Sequence, residues 1–258
     1  MCEIFGLSAA RPMLINGWLM ELRSHSEMIQ SGWGLAVMEE GFFNIEKEAI
    51  KALDSSYLKR RLQSPVITKA CIAHLRHAKP ESMQHFNCHP FSKCTKLGRQ
   101  YTLAHNGAIF SYDALKPYES MQKGTTDSEQ ILLYLVDQID RLEKSAGREL
   151  NPEERFSFID GMVCSMSKEN RLNIVIHDGE LLYAHSNRKN DLFYRNCKDY
   201  TVICTKPVDK WIWYPVPFTT LLAFKNGRII YSGTEHKQEF IQTDEHLRIL
   251  GFLEEGFY

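Results

Sequence analysis

The apolar run CEIFGLSA, from Cys2 to Ala9, reads as a first strand. The apolar residues then take helical spacing, at Leu14, Trp18, Leu19 and Leu22. Residues 33–38 and 42–46 read as two strands joined by MEEG, a turn ending in Gly41, and residues 50–63 as a helix. ACIAHLRH, from Ala70 to His77, is a strand followed by a polar loop to about Ser92. Tyr101 to His105 is another strand, stopped by Asn106-Gly107. Helices are expected near 127–144 and 152–167, separated by SAGRELNP. Paired strands follow at 171–177 and 180–186 about Asp178-Gly179, and at 219–225 and 228–232 about Asn226-Gly227, with the signature of antiparallel hairpins. Strands, then two helices, then strands again predict an α+β fold with antiparallel sheets, not alternating βαβ units. No repeat or Pro/Gly-rich linker interrupts the chain, so a single domain over 1–258 is expected.

Composition narrows the setting. The 258 residues are 43% apolar and 24% charged, ordinary for a globular chain that buries a core. Net charge is −1 without basic or acidic blocks, so neither nucleic acid nor a membrane surface is expected as a partner. No signal-peptide pattern and no membrane-spanning apolar run is visible, which predicts a soluble, cytoplasmic protein. The seven cysteines are scattered, odd in number and free of any CxxC pair, as suits free thiols in a reducing compartment.

Four stretches offer chemistry, and each also has a plain structural reading. Cys2 is either a small hydrophobe in the first strand or a nucleophile. If Met1 is removed, Cys2 carries a thiol and an α-amine that titrates at about 7.7–8.0, a base on the same residue. In IAHLRHAKPESMQHFNCHPF, residues 72–91, strand alternation puts His74 and Arg76 on one face. Arg76 suits a two-pronged grip on a carboxylate, or is a solvated strand arginine. His85, Cys88, His89 and Cys94 are zinc-type ligands whose spacing fits no usual zinc pattern, so no metal is expected. In LAHNGAIF, Asn106-Gly107 is a hairpin signal, or an oxyanion hole formed by a side-chain amide and a backbone N–H. In GTTDSEQILLYL, Thr126 and Glu129 form a capping box, with Asp127 in the first helical turn. Asp127 could equally hold a substrate ammonium.

The order of these signals is more specific than any one of them. Cys at position 2, GWG at 32–34, AHxR, N-x-H-P, HNG and a TDSE helix start form the series found in type-2 glutamine amidotransferases. The sequence resembles that N-terminal-nucleophile family over most of its length, and is similar to its stand-alone branch. The resemblance implies a four-layer αββα sandwich, two antiparallel sheets flanked by helices. It implies Cys2 as nucleophile, its α-amine as base, and Asn106 and Gly107 as the oxyanion hole. Arg76 would bind the substrate α-carboxylate and Asp127 its α-ammonium. Asn87 and His89 would brace the pocket, with His74 and Trp33 beside them. No metal or organic cofactor is implied.

The implied reaction is attack on the γ-amide of glutamine or a γ-glutamyl compound, giving a thioester that water hydrolyses to glutamate. Where large biosynthetic members follow the arginine with Trp-Ala-Thr-His, this chain has His77-Ala78-Lys79-Pro80, so contacts beside Arg76 differ. The resemblance uses nearly all of the chain, leaving no acceptor-binding domain. The expectation is therefore an amidohydrolase. The alternatives are a glutaminase subunit passing ammonia to a synthase partner chain, with WIWYPVPF at 211–218 as a docking patch, or a non-catalytic γ-glutamyl-binding protein.

Overall fold

The computed structural model describes residues 2–29, 31–78 and 82–250. Met1, Lys79 and Pro80 lie outside them, so Met1 removal and part of the HAKP departure concern undescribed positions. Along the chain come β1 (Glu3–Leu14), α1 (Asn16–His25), β2 (Gly32–Glu39), β3 (Phe42–Glu48), α2 (Ser56–Arg61) and β4 (Ile67–Arg76). Then follow β5 (Phe91–Cys94), β6 (Gln100–His105), α3 (Asp127–Ala146) and α4 (Pro152–Met166). The last part holds β7 (Ile174–His177), β8 (Leu182–His185), β9 (Phe193–Asn196), β10 (Tyr200–Cys204) and β11 (Tyr214–Pro215). It ends with β12 (Leu222–Lys225), β13 (Arg228–Ser232) and α5 (Asp244–Ile249).

Two antiparallel sheets form the middle layers, in the orders β11-β9-β10-β1-β4-β2-β3 and β13-β12-β8-β7-β6-β5. Strand alternation divides the apolar residues cleanly between layers. Ile4, Ile72, Ala104, Val175 and Ile203 pack between the sheets. Phe5, Leu7, Ala73 and Leu75 point the other way, under Leu19 and Leu22 of α1. On the far side, Leu103, Ile174 and Ile176 pack under Ile131, Leu135, Ile159 and Val163 of α3 and α4. The result is the expected αββα sandwich. No helix among the described residues is long and apolar enough to cross a membrane.

Several element predictions need correction. The 50–63 helix shrinks to Ser56–Arg61, capped by Ser55, because a turn occupies the residues before it. The polar loop ends one residue early, since Phe91 opens β5. The hairpin strands start later than predicted, at Ile174 and Leu222. Between 193 and 204 lie β9 and β10, which no periodicity revealed, yet β10 lies directly beside β1. The Thr126 cap is half of the predicted box. Its hydroxyl accepts from the Glu129 N–H at 3.3 Å, but the Glu129 carboxylate accepts from the N–H groups of Lys123 and Gly124 instead.

Candidate active site

The site forms where one end of each sheet meets the start of α3. Glu3 pairs with Leu75 and Ile4 with His74, and continuing this register sets Cys2 opposite Arg76. The Cys2 Sγ accepts from the His77 backbone N–H at 3.2 Å and lies 3.6 Å from the His77 carbonyl oxygen. From the second sheet, Asn106 Nδ2 donates to the Cys2 carbonyl at 3.0 Å, tying the sheets together at this point. An amide nitrogen carries two hydrogens, so one donor is left for another acceptor.

Gly107 follows at a place where no side chain fits. A Cβ there would stand 2.0 Å from the Arg171 carbonyl oxygen and 2.3 Å from His105 Nε2. The ring of His105 is fixed between the Ser128 hydroxyl (3.0 Å) and that same carbonyl (3.1 Å). Burial holds its pKa below the ordinary histidine value, against the opposing pull of Asp127. Asp127 opens α3. Its carboxylate accepts from the Ile109 N–H at 2.7 Å and from the Ser128 hydroxyl at 3.1 Å.

Arg76 is 9% exposed, and its Nε donates to the Asn87 carbonyl at 2.9 Å. Its Nη1 is buried without a hydrogen-bond partner, an expensive state for a charged group unless a ligand fills it. Asn87 in turn accepts the Thr125 N–H at 2.8 Å and donates to the Thr125 hydroxyl and the Ser82 carbonyl. One side chain thus joins the segment holding Arg76 to the loop leading into Asp127. His74 and His89 share a hydrogen bond of 3.0 Å. Burial, reinforced by neighbouring Arg76 and His105, takes the His74 pKa down to about 3. Burial and then His74 hold His89 well below the ordinary value, so the pair is neutral at pH 7. Close packing of Gly34 sets this segment, since a Cβ there would meet the His89 carbonyl oxygen at 1.9 Å.

A cavity of about 280 Å³ gathers Cys2, Arg76, His89, Asn106, Gly107 and Asp127 on one wall surface. Asn87 and His74 stand behind it. Trp33 lies elsewhere, in the outer core under α1 and α2, with its Nε1 donating to Glu48 at 3.1 Å. The cavity residues with no role assigned from sequence include His105, Ser128, Arg171 and Leu250. His105 and Ser128 adjoin quoted motif residues and were within reach. Arg171 and Leu250 carry no sequence signal, because only the chain's return through β7 and α5 brings them near. His85, Cys88, His89 and Cys94 do not converge, and no group of three or more His, Cys, Asp or Glu among the described residues suits a metal. Trp211, Ile212 and Tyr214 are exposed, and none is among the residues lining the cavity.

The family model for class-II glutamine amidotransferases matches residues 1–200. Among relatives, an uncharacterized Methanocaldococcus jannaschii protein, MJ1515, is 27% identical, covering 99% of this chain and 76% of that protein. Escherichia coli YafJ is 26% identical over 72% of each chain. Among solved structures, a Pseudomonas aeruginosa chain superposes with a TM-score of 0.64 at 20% identity, covering 89% of this chain and all of that one. Bacillus subtilis glutamine PRPP amidotransferase does so with a TM-score of 0.65 at 16% identity, covering 91% of this chain but 49% of that one. With the fold, the cavity and this match in agreement, the chain belongs to the class-II glutamine amidotransferases.

Proposed function

We propose that the protein is an N-terminal-nucleophile amidohydrolase acting on glutamine or a γ-glutamyl compound, with Cys2 as nucleophile once Met1 is removed. The observation that carries this reading is the unpartnered Nη1 of buried Arg76, in the same cavity as Cys2 and Asn106. A substrate α-carboxylate supplies the missing acceptor, and Asp127, at the opposite end of the headgroup, receives the α-ammonium. The side chain then extends toward Cys2.

The freed α-amine takes the thiol proton, and sulfur attacks the γ-carbonyl carbon. The oxyanion that forms accepts from the spare Asn106 Nδ2–H and the Gly107 N–H, each such donor contributing about 2.7–4 kcal/mol to the transition state. The protonated amine gives its proton to the departing nitrogen, the C–N bond breaks, and a γ-glutamyl thioester remains. Water, deprotonated by the same amine, attacks the thioester and releases glutamate and the thiol.

Water is the acceptor in this reading. A glutaminase subunit would call for an apolar docking surface at the cavity mouth, and exposed Trp211 and Ile212 are not part of the cavity lining. A binding protein without turnover has no use for a cysteine set against Asn106. The test is release of ammonia or amine from glutamine and γ-glutamyl dipeptides by protein whose Met1 loss is checked by mass. Activity absent in Cys2→Ala, and declining below about pH 8 as the amine protonates, supports the reading. Equal activity in Cys2→Ala would sink it.

A further inference from the structure

A second cavity, of about 460 Å³, lies across the segment that carries His89 and is used by no step above. Three separate parts of the chain bring lysines to it: Lys47 from β3, Lys93 from β5 and Lys123 from the loop before α3, with His85 beside them. None of the three lysines forms an ion pair among the described residues. Lys47 is half-buried, donates to the Cys88 carbonyl at 2.9 Å and sits 5.2 Å from the Phe91 ring centre. Burial lowers its pKa, the mark of an ammonium short of counter-charge. The wall's carboxylate, Glu129, is already engaged by the N–H groups of Lys123 and Gly124, at 3.0 and 2.9 Å.

Apart from Ser92, the rest of the lining is apolar. Phe86 and Met121 face the cavity although 53% and 59% exposed, with Leu132 and Leu133 alongside. Several cations around one space, next to aromatic surface, suit an anion with several acceptor oxygens and an apolar body. A phosphate has three terminal oxygens and nearly two charges at pH 7, against two oxygens and one charge for a carboxylate.

The two cavities share walls. Asn87 holds Arg76 Nε through its carbonyl, and the next carbonyl, of Cys88, holds Lys47 Nζ. At the start of α3, Asp127 and Ser128 line the first cavity while Glu129 and Leu132 line the second. We infer that the second cavity binds a phosphomonoester with an aromatic body, and that its occupancy tightens binding of the glutamyl headgroup in the first. A ligand gripped by Lys47, Lys93 and Lys123 ties the segment that braces Arg76 through the Asn87 carbonyl to the loop that leads into Asp127. The coupling rests on the proposed roles of Arg76 and Asp127, while the binding itself does not.

The test uses 1-naphthyl phosphate, followed by its fluorescence, on the Cys2→Ala chain so that binding is read without turnover. Inorganic phosphate and 1-naphthol are the separate halves of the ligand. The expected result is at least tenfold tighter binding of the whole ligand than of either half. The double variant Lys93→Gln/Lys123→Gln, which alters two exposed side chains, should lose about tenfold, and Lys47→Met should lose as much. Binding unchanged in these variants, or naphthol binding as tightly as its phosphate, would overturn the site. In the active enzyme the ligand should lower KM for glutamine about threefold without changing kcat, and not in the double variant. An unchanged KM would overturn the coupling. Lysine-dependent binding by a chain that never turns over glutamine would leave this site standing and remove the proposed reaction.

Discussion

Arg76 and Arg155 are both buried, yet their surroundings differ in kind. Arg155 is 1% exposed and every nitrogen of its guanidinium is used: Nε on Asp178 (2.7 Å), Nη1 on the Leu150 carbonyl (2.7 Å) and Nη2 on Glu180 (2.6 Å). Asp178 accepts further from the Tyr183 hydroxyl and the Leu181 N–H. Burial alone would raise the Asp178 pKa, but Arg155 and these donors together hold it below the ordinary carboxylate value. Arg76 by contrast lines a cavity, with Nε engaged and Nη1 buried without a partner. A closed network positions α4 against the β7–β8 turn and has nothing left to offer a ligand. An open one keeps binding capacity at the expense of stability. Burial of charge therefore does not distinguish these two arginines, whereas an unpartnered nitrogen in a residue that lines the Cys2 cavity does.

The largest effect expected from breaking the closed network is thermodynamic. Arg155→Met strands Asp178 in the core and should cost about 3–5 kcal/mol in urea unfolding, while kcat/KM per folded molecule stays unchanged. Arg76→Met should do the reverse. It should lower kcat/KM for glutamine by a factor set by about 3 kcal/mol, mostly through KM, with little change in the unfolding midpoint. If both variants lose stability and neither loses substrate affinity, the contrast between the two arginines fails. Asn106→Ala should lower kcat by about 10²–10³-fold while KM moves little, as expected for a donor used at the oxyanion. A KM effect alone would move Asn106 to ground-state binding.

A smaller effect is expected from pH. Burial holds His185 near 3, with the His236 charge adding to the shift, and holds His74 near 3, while unfolded histidine titrates near 6.5. The unfolded chain therefore takes up protons that the folded one refuses. This stability is complete above about pH 6.5 and is lost as pH falls toward the folded values, by about 1.4 kcal/mol per pH unit per histidine. Urea midpoints should be level from pH 7.5 to about 6.5 and fall from there to pH 5. A flat profile would show that these rings are protonated in the fold. The smallest effect belongs to Trp33→Phe, which removes its bond to Glu48 and should cost about 1 kcal/mol of stability without altering KM.

The legible parts of this molecule are those whose chemistry sits at the ends of single strands. AHLR gives both the face and the residue of Arg76, and HNG marks the end of β6. The start of α3 is written in its Thr126 cap and Asp127. Strand order is a different matter. β9 and β10 are four and five residues long; FYRN buries Arg195 while Phe193 and Tyr194 are only partly buried, and YTVIC is buried over four consecutive residues. Neither shows alternation, so the strand beside β1 went unseen. α5 buries no residue and is fixed by Thr243 and His246, a polar cap that hydrophobic spacing cannot reveal. Trp33 shows the limit of motif reading. Its place in GWG draws it toward the site, while the register Trp33–Leu75 turns it to the outer face.

The central claim is that Cys2, freed of Met1, attacks a glutamyl group held by Arg76. Intact mass after incubation with a diazoketone analogue of glutamine tests it most directly, comparing the natural chain with Cys2→Ala and Arg76→Met. The account predicts loss of Met1 and one adduct on the natural chain, none on Cys2→Ala and strongly slowed labelling of Arg76→Met. Labelling that persists in Cys2→Ala, or a purified chain that keeps Met1 and still turns over glutamine, would contradict it.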